Sequence, residues 1–344
     1  MTEVFLALGE SGFGPHRWDG KSLISTQGEP TGIISPGLVD IHFHGAFGID
    51  FMSASRPDML ILADRLEAEG YEAWLPTTVT ATPGDVRSAL ANLPEHRSIV
   101  GFHLEGPFIS PEFAGAQPPS LIIDPPPSGT GWDPILDDPR LRVITMAPER
   151  PGALELASRL HGRGVRVSMG HTNATFAVAA QGWNSGFRHA THTFNAMRPF
   201  HHREAGAVGF ALSKDGLKTE LIYDRLHVDP DAARVLLKIK PSQDVIAVSD
   251  SAMATGLAPG TELKMWGHEC ITGAGDVRLK ANGALAGSAI TLRTAFKNLV
   301  EDFGAEVAIR ACCHNPRRAI GLPTEPKVLL VWSLDGELKE RIEL

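Results

Sequence analysis

The chain has 344 residues, 43% hydrophobic and 21% charged, the proportions of a folded globular protein long enough to bury a large core. A formal net charge of -8 with no Lys/Arg block argues against a nucleic-acid partner. There is no apolar run of the roughly 18 residues a membrane span needs and no basic-then-apolar N-terminal signal, and the three cysteines (Cys270, Cys312, Cys313) are odd in number, so a cytoplasmic protein without membrane partner or disulfide framework is expected.

Residues 1–34 read as short polar-flanked strands, at 4–8 and 22–25. An apolar strand at 38–43 follows and runs into His42-Phe43-His44. Residues two apart in a strand point to the same face, so both imidazoles face one centre, as two metal ligands would. The segment 56–70 predicts a helix: Met59, Leu60, Leu62, Ala63 and Leu66 form its apolar stripe and Gly70 closes it. Strands at 72–79 and 98–105 come next, around a helix at 85–93. The second of these strands ends in His103-Leu104-Glu105 before Gly106-Pro107. His103 shares a face with Glu105 in a regular strand, and it is read as a packing residue.

Residues 118–139, rich in Pro, Asp and Gly, read as a long loop. Strands at 141–147, 165–170, 188–194, 219–227 and 244–250 then alternate with helices at 151–163, 173–185 and 230–239. Three of these strands run into or through His171, His192 and Asp250. A long Gly-rich stretch at 251–288 has room for short hairpins, and helices at 290–303 and 305–313 follow. Asp335-Gly336 between the strands 327–332 and 338–344 is a hairpin signal.

Eight strand–helix repeats predict an α/β fold, a (β/α)₈ TIM-like barrel over residues 35–324. Both chain ends, 1–34 and 325–344, make a small β-domain. In such a barrel catalytic residues sit at the C-terminal ends of the strands, where His42, His44, Glu105, His171, His192 and Asp250 fall. The donor set is imidazole and carboxylate without thiolate, which suits zinc, iron or manganese.

Taken together, the segments 36–45, 75–78, 103–108, 147–149, 170–175, 190–197, 201–204, 226–228, 249–250 and 287–288 resemble, in order, the N-acetylglucosamine-6-phosphate deacetylase family of the amidohydrolase superfamily. The resemblance implies a metal-dependent barrel with a small β-sandwich. It also implies hydrolysis of the acetamide of N-acetylglucosamine 6-phosphate in amino-sugar catabolism. The family's metal ligands carry over to Glu105, His171 and His192. A second divalent ion would use His42 and His44, with Glu105 between the two. Asp250 matches the catalytic aspartate and is also a candidate ligand. As general base it takes a proton from the attacking water; as general acid it returns one to the departing amine. Asn195, the Ala196 N–H and Arg203 resemble the phosphate contacts, and His227 a substrate contact. Because some of these groups cross a dimer interface in the family, a homodimer is implied.

Two departures stand out. The family's Lys-Gly-Ala-His reads Ala114-Gly115-Ala116-Gln117 here, so Gln117 stands where a histidine holds the substrate's carbonyl side. Arg225 replaces a glycine in Asp224-Arg225-Leu226-His227, beside the sugar-phosphate pocket. A trimmed C-terminal segment also points to a reduced β-domain. The rival readings are another N-acyl amino-sugar phosphate, such as N-acetylgalactosamine 6-phosphate, or another amide, and a sugar-phosphate-binding protein without catalysis.

Overall fold

The computed structural model describes residues 3–344; residues 1 and 2, the start of the expected small β-domain, lie outside the described residues. Six parallel strands lie side by side in sequence order: Phe102–Glu105, Leu141–Met146, Arg166–Met169, Phe187–Ala190, Lys218–Ile222 and Val245–Val248. A parallel pair, Leu38–Phe43 with Tyr71–Pro76, flanks them. Parallel bridges from Thr77 to His103 and from Phe43 to Ser251 join this pair to both edges of the six. The eight strands therefore follow one another around a curled sheet. Val39, Ile41, Leu75, Val143, Ile222, Ile246 and Val248 form one buried cluster, although several come from strands that are not neighbours. Such residues meet only if the sheet curls around them.

Parallel strands need long crossovers, and helices supply most of them. Arg56–Ala68 starts at a capping box, in which Ser55 and Asp58 satisfy each other's backbone N–H, and it buries Met59, Leu62, Ala63 and Leu66. Pro83–Asn92, Ala153–Gly162, Phe176–Asn184, Pro230–Ile239 and Leu292–Phe303 match expected helices to within a few residues. The helix Gly206–Ser213 was not expected. Six of its eight residues are buried, so its sequence carries no polar stripe. The helix expected at 305–313 runs as Ala305–Ile309, a π-turn at Arg310–His314 and Asn315–Ala319.

The strands expected at 188–194, 219–227 and 244–250 end earlier, at Ala190, Ile222 and Val248. The cause is the backbone: His192, Arg225 and Asp250 have φ of 29°, 66° and 49°, which a strand cannot accommodate. The long stretch after Asp250 contains an antiparallel sheet of Glu262–Met265, His268–Thr272 and Val277–Leu279.

Both chain ends meet in a second six-stranded sheet. Leu338–Glu343 pairs with Val328–Trp332, which pairs onto Gly32–Pro36, followed by Phe5–Gly9, Gly12–Trp18 and Leu23–Ser25. The strand Gly32–Pro36 straddles the expected domain boundary at 34/35. It leads directly into Leu38–Phe43, so this sheet anchors the strand that carries His42. Among the described residues no helix is long and apolar enough to cross a membrane.

Just past His44 the chain turns back on itself, with Gly45 paired to Asp50. A Cβ on Gly45 would lie 2.1 Å from the Ile49 carbonyl oxygen and 3.1 Å from the Asp50 Cα. The Gly45→Ala chain is expected to lose about 1–3 kcal/mol, as overpacked sites do, read as a lowered midpoint in urea unfolding.

Candidate metal centre

His42 and His44 leave the end of the first barrel strand, Glu105 ends the third, and His171, His192 and Asp250 lie just beyond later strands. All six are between 0% and 8% exposed. They form two groups, His42–His44–Asp250 and Glu105–His171–His192, with the ligand atoms of each within 4.8 Å of one another. The Nε2 atoms of His42 and His44 are 3.1 Å apart, and each lies 3.2–3.3 Å from Asp250 Oδ1. His171 and His192 have Nε2 atoms 3.2 Å apart, each 3.2–3.3 Å from Glu105 Oε1. Glu105 also reaches the first group, with Oε1 3.4 Å from His42 Nε2 and Oε2 3.3 Å from His44 Nε2.

The other ring nitrogen of each histidine is engaged. His44 Nδ1 lies 3.1 Å from the Thr77 carbonyl, His171 Nδ1 2.8 Å from that of Phe113, and His192 Nδ1 3.1 Å from that of Asn195. His42 Nδ1 faces the Glu220 carboxylate at 3.3 Å. All four partners accept hydrogen bonds only, so each Nδ1 carries the proton and each Nε2 presents a lone pair. Facing lone pairs at 3.1–3.2 Å repel one another unless a proton or a metal cation lies between them. The spacing also fits one: ligands roughly 2.0–2.1 Å from a tetrahedral zinc stand about 3.3 Å apart. The donor set and the anchored Nδ1 atoms therefore fit a divalent metal.

Buried carboxylates shape the electrostatics. Burial pushes the His44 imidazole down, but Asp250 and Glu105 outweigh it and raise its pKa to about 9. Burial would raise Asp250, yet His42 and His44 bring it to about 2. Burial and the charge of His42 drive His103 well below its ordinary value. His103 is fully satisfied, with Nδ1 3.1 Å from the Ile41 carbonyl and Nε2 2.8 Å from Thr145 Oγ1, as a packing histidine should be.

A cavity of about 170 Å³ opens over the centre. His44, Glu105, His171, His192 and Asp250 line its floor; Gln117, Asn195, Ala196 and His227 line its walls. Gly115, Ala116 and Gly287 also line it and lie in segments the sequence pointed to; Leu285 and Trp266 line it and were not singled out in the sequence. His42 lies deeper and Arg203 lies elsewhere, exposed, with its backbone N–H directed at His201. His227 is held by Asp224, with Nδ1 2.6 Å from Oδ2. Burial lowers the imidazole's pKa, and Asp224 more than restores it. Trp266 occupies a two-residue hairpin turn with φ of 54°, beside Gly267 at 87°, both left-handed as a type I′ turn requires. Its ring packs edge-on against His44, 5.1 Å between centroids, and its Nε1 donates to Asp50 at 2.9 Å. No periodic pattern could have pointed to it.

The two departures sit differently from their sequence reading. The Gln117 amide donates to Glu105 Oε2 at 2.7 Å and accepts from the Thr80 N–H at 2.6 Å. It braces the Glu105 carboxylate, and both ends of the amide are engaged without a substrate carbonyl. Arg225 turns away from the cavity onto the helix Leu292–Phe303, donating to Asp302 at 2.7 Å and Glu301 at 2.8 Å. Both are placed by the backbone: Gln117 by the turn after Phe113, Arg225 by its left-handed φ of 66°.

No family model matches the chain. An N-acetylglucosamine-6-phosphate deacetylase of Bacillus subtilis (strain 168) is 37% identical over 283 residues, covering 78% of this chain and 70% of the relative. An N-acetylgalactosamine-6-phosphate deacetylase of Escherichia coli O157:H7 is 34% identical over 301 residues, 84% and 78% of the two chains. The solved N-acetylglucosamine-6-phosphate deacetylase of Thermotoga maritima superposes with a TM-score of 0.87 at 28% identity, covering 99% of this chain and 97% of the other. That of Mycobacterium smegmatis, a point mutant in complex with N-acetyl-D-glucosamine 6-phosphate, gives 0.85 at 27%, covering 99% and 98%.

Two outcomes are expected. Ions and protons compete for the same imidazoles, so the affinity for a divalent ion should fall as pH drops below about 9, with protons released on binding, measured by titration calorimetry in buffers of different ionisation enthalpy. Arg225→Gly loses partly exposed ion pairs but relieves a left-handed residue. It should change unfolding stability by less than about 1 kcal/mol and leave metal content unchanged.

Proposed function

We propose a specific reaction for this chain, which belongs to the N-acetylglucosamine-6-phosphate deacetylase family of amidohydrolases: hydrolysis of the acetamide of N-acetylglucosamine 6-phosphate to acetate and glucosamine 6-phosphate. The observation that carries it is the convergence of four Nδ1-anchored imidazoles and two carboxylates on the floor of one cavity. Glu105, His171 and His192 would hold one divalent ion, and His42, His44 and Asp250 a second. Bound there, the ions supply Lewis-acid polarisation of the amide carbonyl and bring the pKa of water to roughly 7.

The chain's own groups handle the protons. Asp250 takes one from the attacking water as the new C–O bond forms, and passes it to the amine nitrogen as the C–N bond breaks, because an unprotonated amide nitrogen leaves poorly. His227, oriented by Asp224, faces the substrate from the wall. Asn195 and the Ala196 N–H are the phosphate contacts within the chain, supported by their position on that wall. Arg203, exposed outside its own cavity, is assigned to the cavity of a second copy, which makes the assembly a homodimer. Zinc is the ion assigned here, although the imidazole and carboxylate donors suit iron and manganese as well, and three buried free cysteines support a reducing, cytoplasmic setting. The small β-domain is assigned to residues 1–34 with 325–344, supported by the sheet that joins them.

A specific observation favours N-acetylgalactosamine 6-phosphate as the second reading: a relative with 34% identity is named for it. Arg225 gives no support to an altered pocket, since it points away from it.

Metal-loaded protein should deacetylate the gluco 6-phosphate faster than the galacto isomer and leave the unphosphorylated sugar almost untouched, followed by acetate release. Asp250→Asn should lose about 10²–10⁴-fold in kcat. Equal turnover of the sugar with and without phosphate would remove the phosphate reading.

A further inference from the structure

Glu220 lies on the barrel strand Lys218–Ile222 and is wholly buried. It does not line the cavity, so it does not touch substrate. Its Oε2 is 3.3 Å from His42 Nδ1 and 3.2 Å from the backbone N–H of His192. Its Oε1 has no hydrogen-bond partner among the described residues. Three of the four ligand histidines rest their Nδ1 on backbone carbonyls; His42 alone rests on a carboxylate.

Charge counting gives this difference a meaning. With neutral imidazoles, Glu105 and Asp250 bring two negative charges to the centre, the complement of one divalent ion. Glu220 adds another, and unlike the buried Asp40 and Asp50 it meets a ring nitrogen of the centre, His42 Nδ1, where an uncompensated charge is costly. A second cation among His42, His44 and Asp250 answers it. A carboxylate on Nδ1 also makes the opposite nitrogen a better donor and fixes the ring plane.

We propose that Glu220 is the positioning residue that equips this chain for a second ion. It holds His42 with Nε2 aimed at His44 and Asp250, and it supplies the charge that the second cation neutralises. Through the His192 N–H it touches the first site only by way of the backbone, so the first ion depends on it less. The proposal rests on the reading that the two clusters hold divalent ions, and the test separates the two.

The full-length chain, stripped and then equilibrated with Co²⁺, is read by ions per chain after desalting and by the visible absorption of the Co²⁺ protein, with no turnover involved. The unaltered chain is expected to hold two ions. Glu220→Gln keeps the shape and loses the charge: it should hold one ion as tightly as before and the second about 10–100-fold more weakly, with an unchanged far-ultraviolet spectrum. Should that variant fail to fold, Glu220→Asp carries the test, with a smaller loss expected at the second ion alone. Two ions bound with unchanged affinity in the variant would overturn the proposal, as would loss of the first ion before the second or a single ion in the unaltered chain. An unaltered chain that takes no Co²⁺ at all overturns the metal reading itself.

Discussion

Everything at the top of this barrel depends on keeping four imidazole lone pairs pointed at one another. That arrangement is repulsive on its own, and the fold maintains it from behind. Carbonyls at Thr77, Phe113 and Asn195 and the carboxylate of Glu220 each take the outward N–H of one ring. Each ring is thereby locked in tautomer and orientation, because turning it would strand a buried donor. The backbone shares in the cost. His171, His192 and Asp250 all sit at positive φ, a conformation that non-glycine residues reach only under constraint. In each case the strand has to stop so that the side chain can turn over the barrel mouth.

The surrounding loops act as braces more than as walls. The turn after Glu105 contributes twice: the Phe113 carbonyl steadies His171, and Gln117 hydrogen-bonds Glu105, the carboxylate within reach of both histidine clusters. The Gln117 amide thus faces Glu105 rather than the open cavity. Arg225 shows the converse. A residue beside the pocket in sequence leaves it in space, because its left-handed backbone sends the guanidinium to Asp302 and Glu301.

Much of this was legible in the sequence. The His42-x-His44 pair and the acidic or imidazole ends of later strands are local signals, and strand–helix alternation gave them a common geometry. The misreadings have physical causes. Strands ending at Ala190, Ile222 and Val248 were read too long because each was carried on to the His or Asp candidate beyond it, and positive φ leaves no compositional trace outside glycine. The helix Gly206–Ser213 was invisible because it is buried nearly all round. Glu220 was missed because a lone acidic residue inside a strand has no partner nearby in sequence; His42 is 178 residues away. Trp266 was missed because its role comes from a hairpin turn in a long glycine-rich stretch.

That tryptophan gives the molecule a property of its own. An indole fixed edge-on against His44, with its N–H committed to the buried Asp50, has that imidazole as an immediate and fixed neighbour. Charge arriving at or leaving that imidazole changes the field across the ring. Trp266, one of six tryptophans in the chain, therefore places an optical probe at the rim of the centre, and its share of the emission is expected to shift with events there.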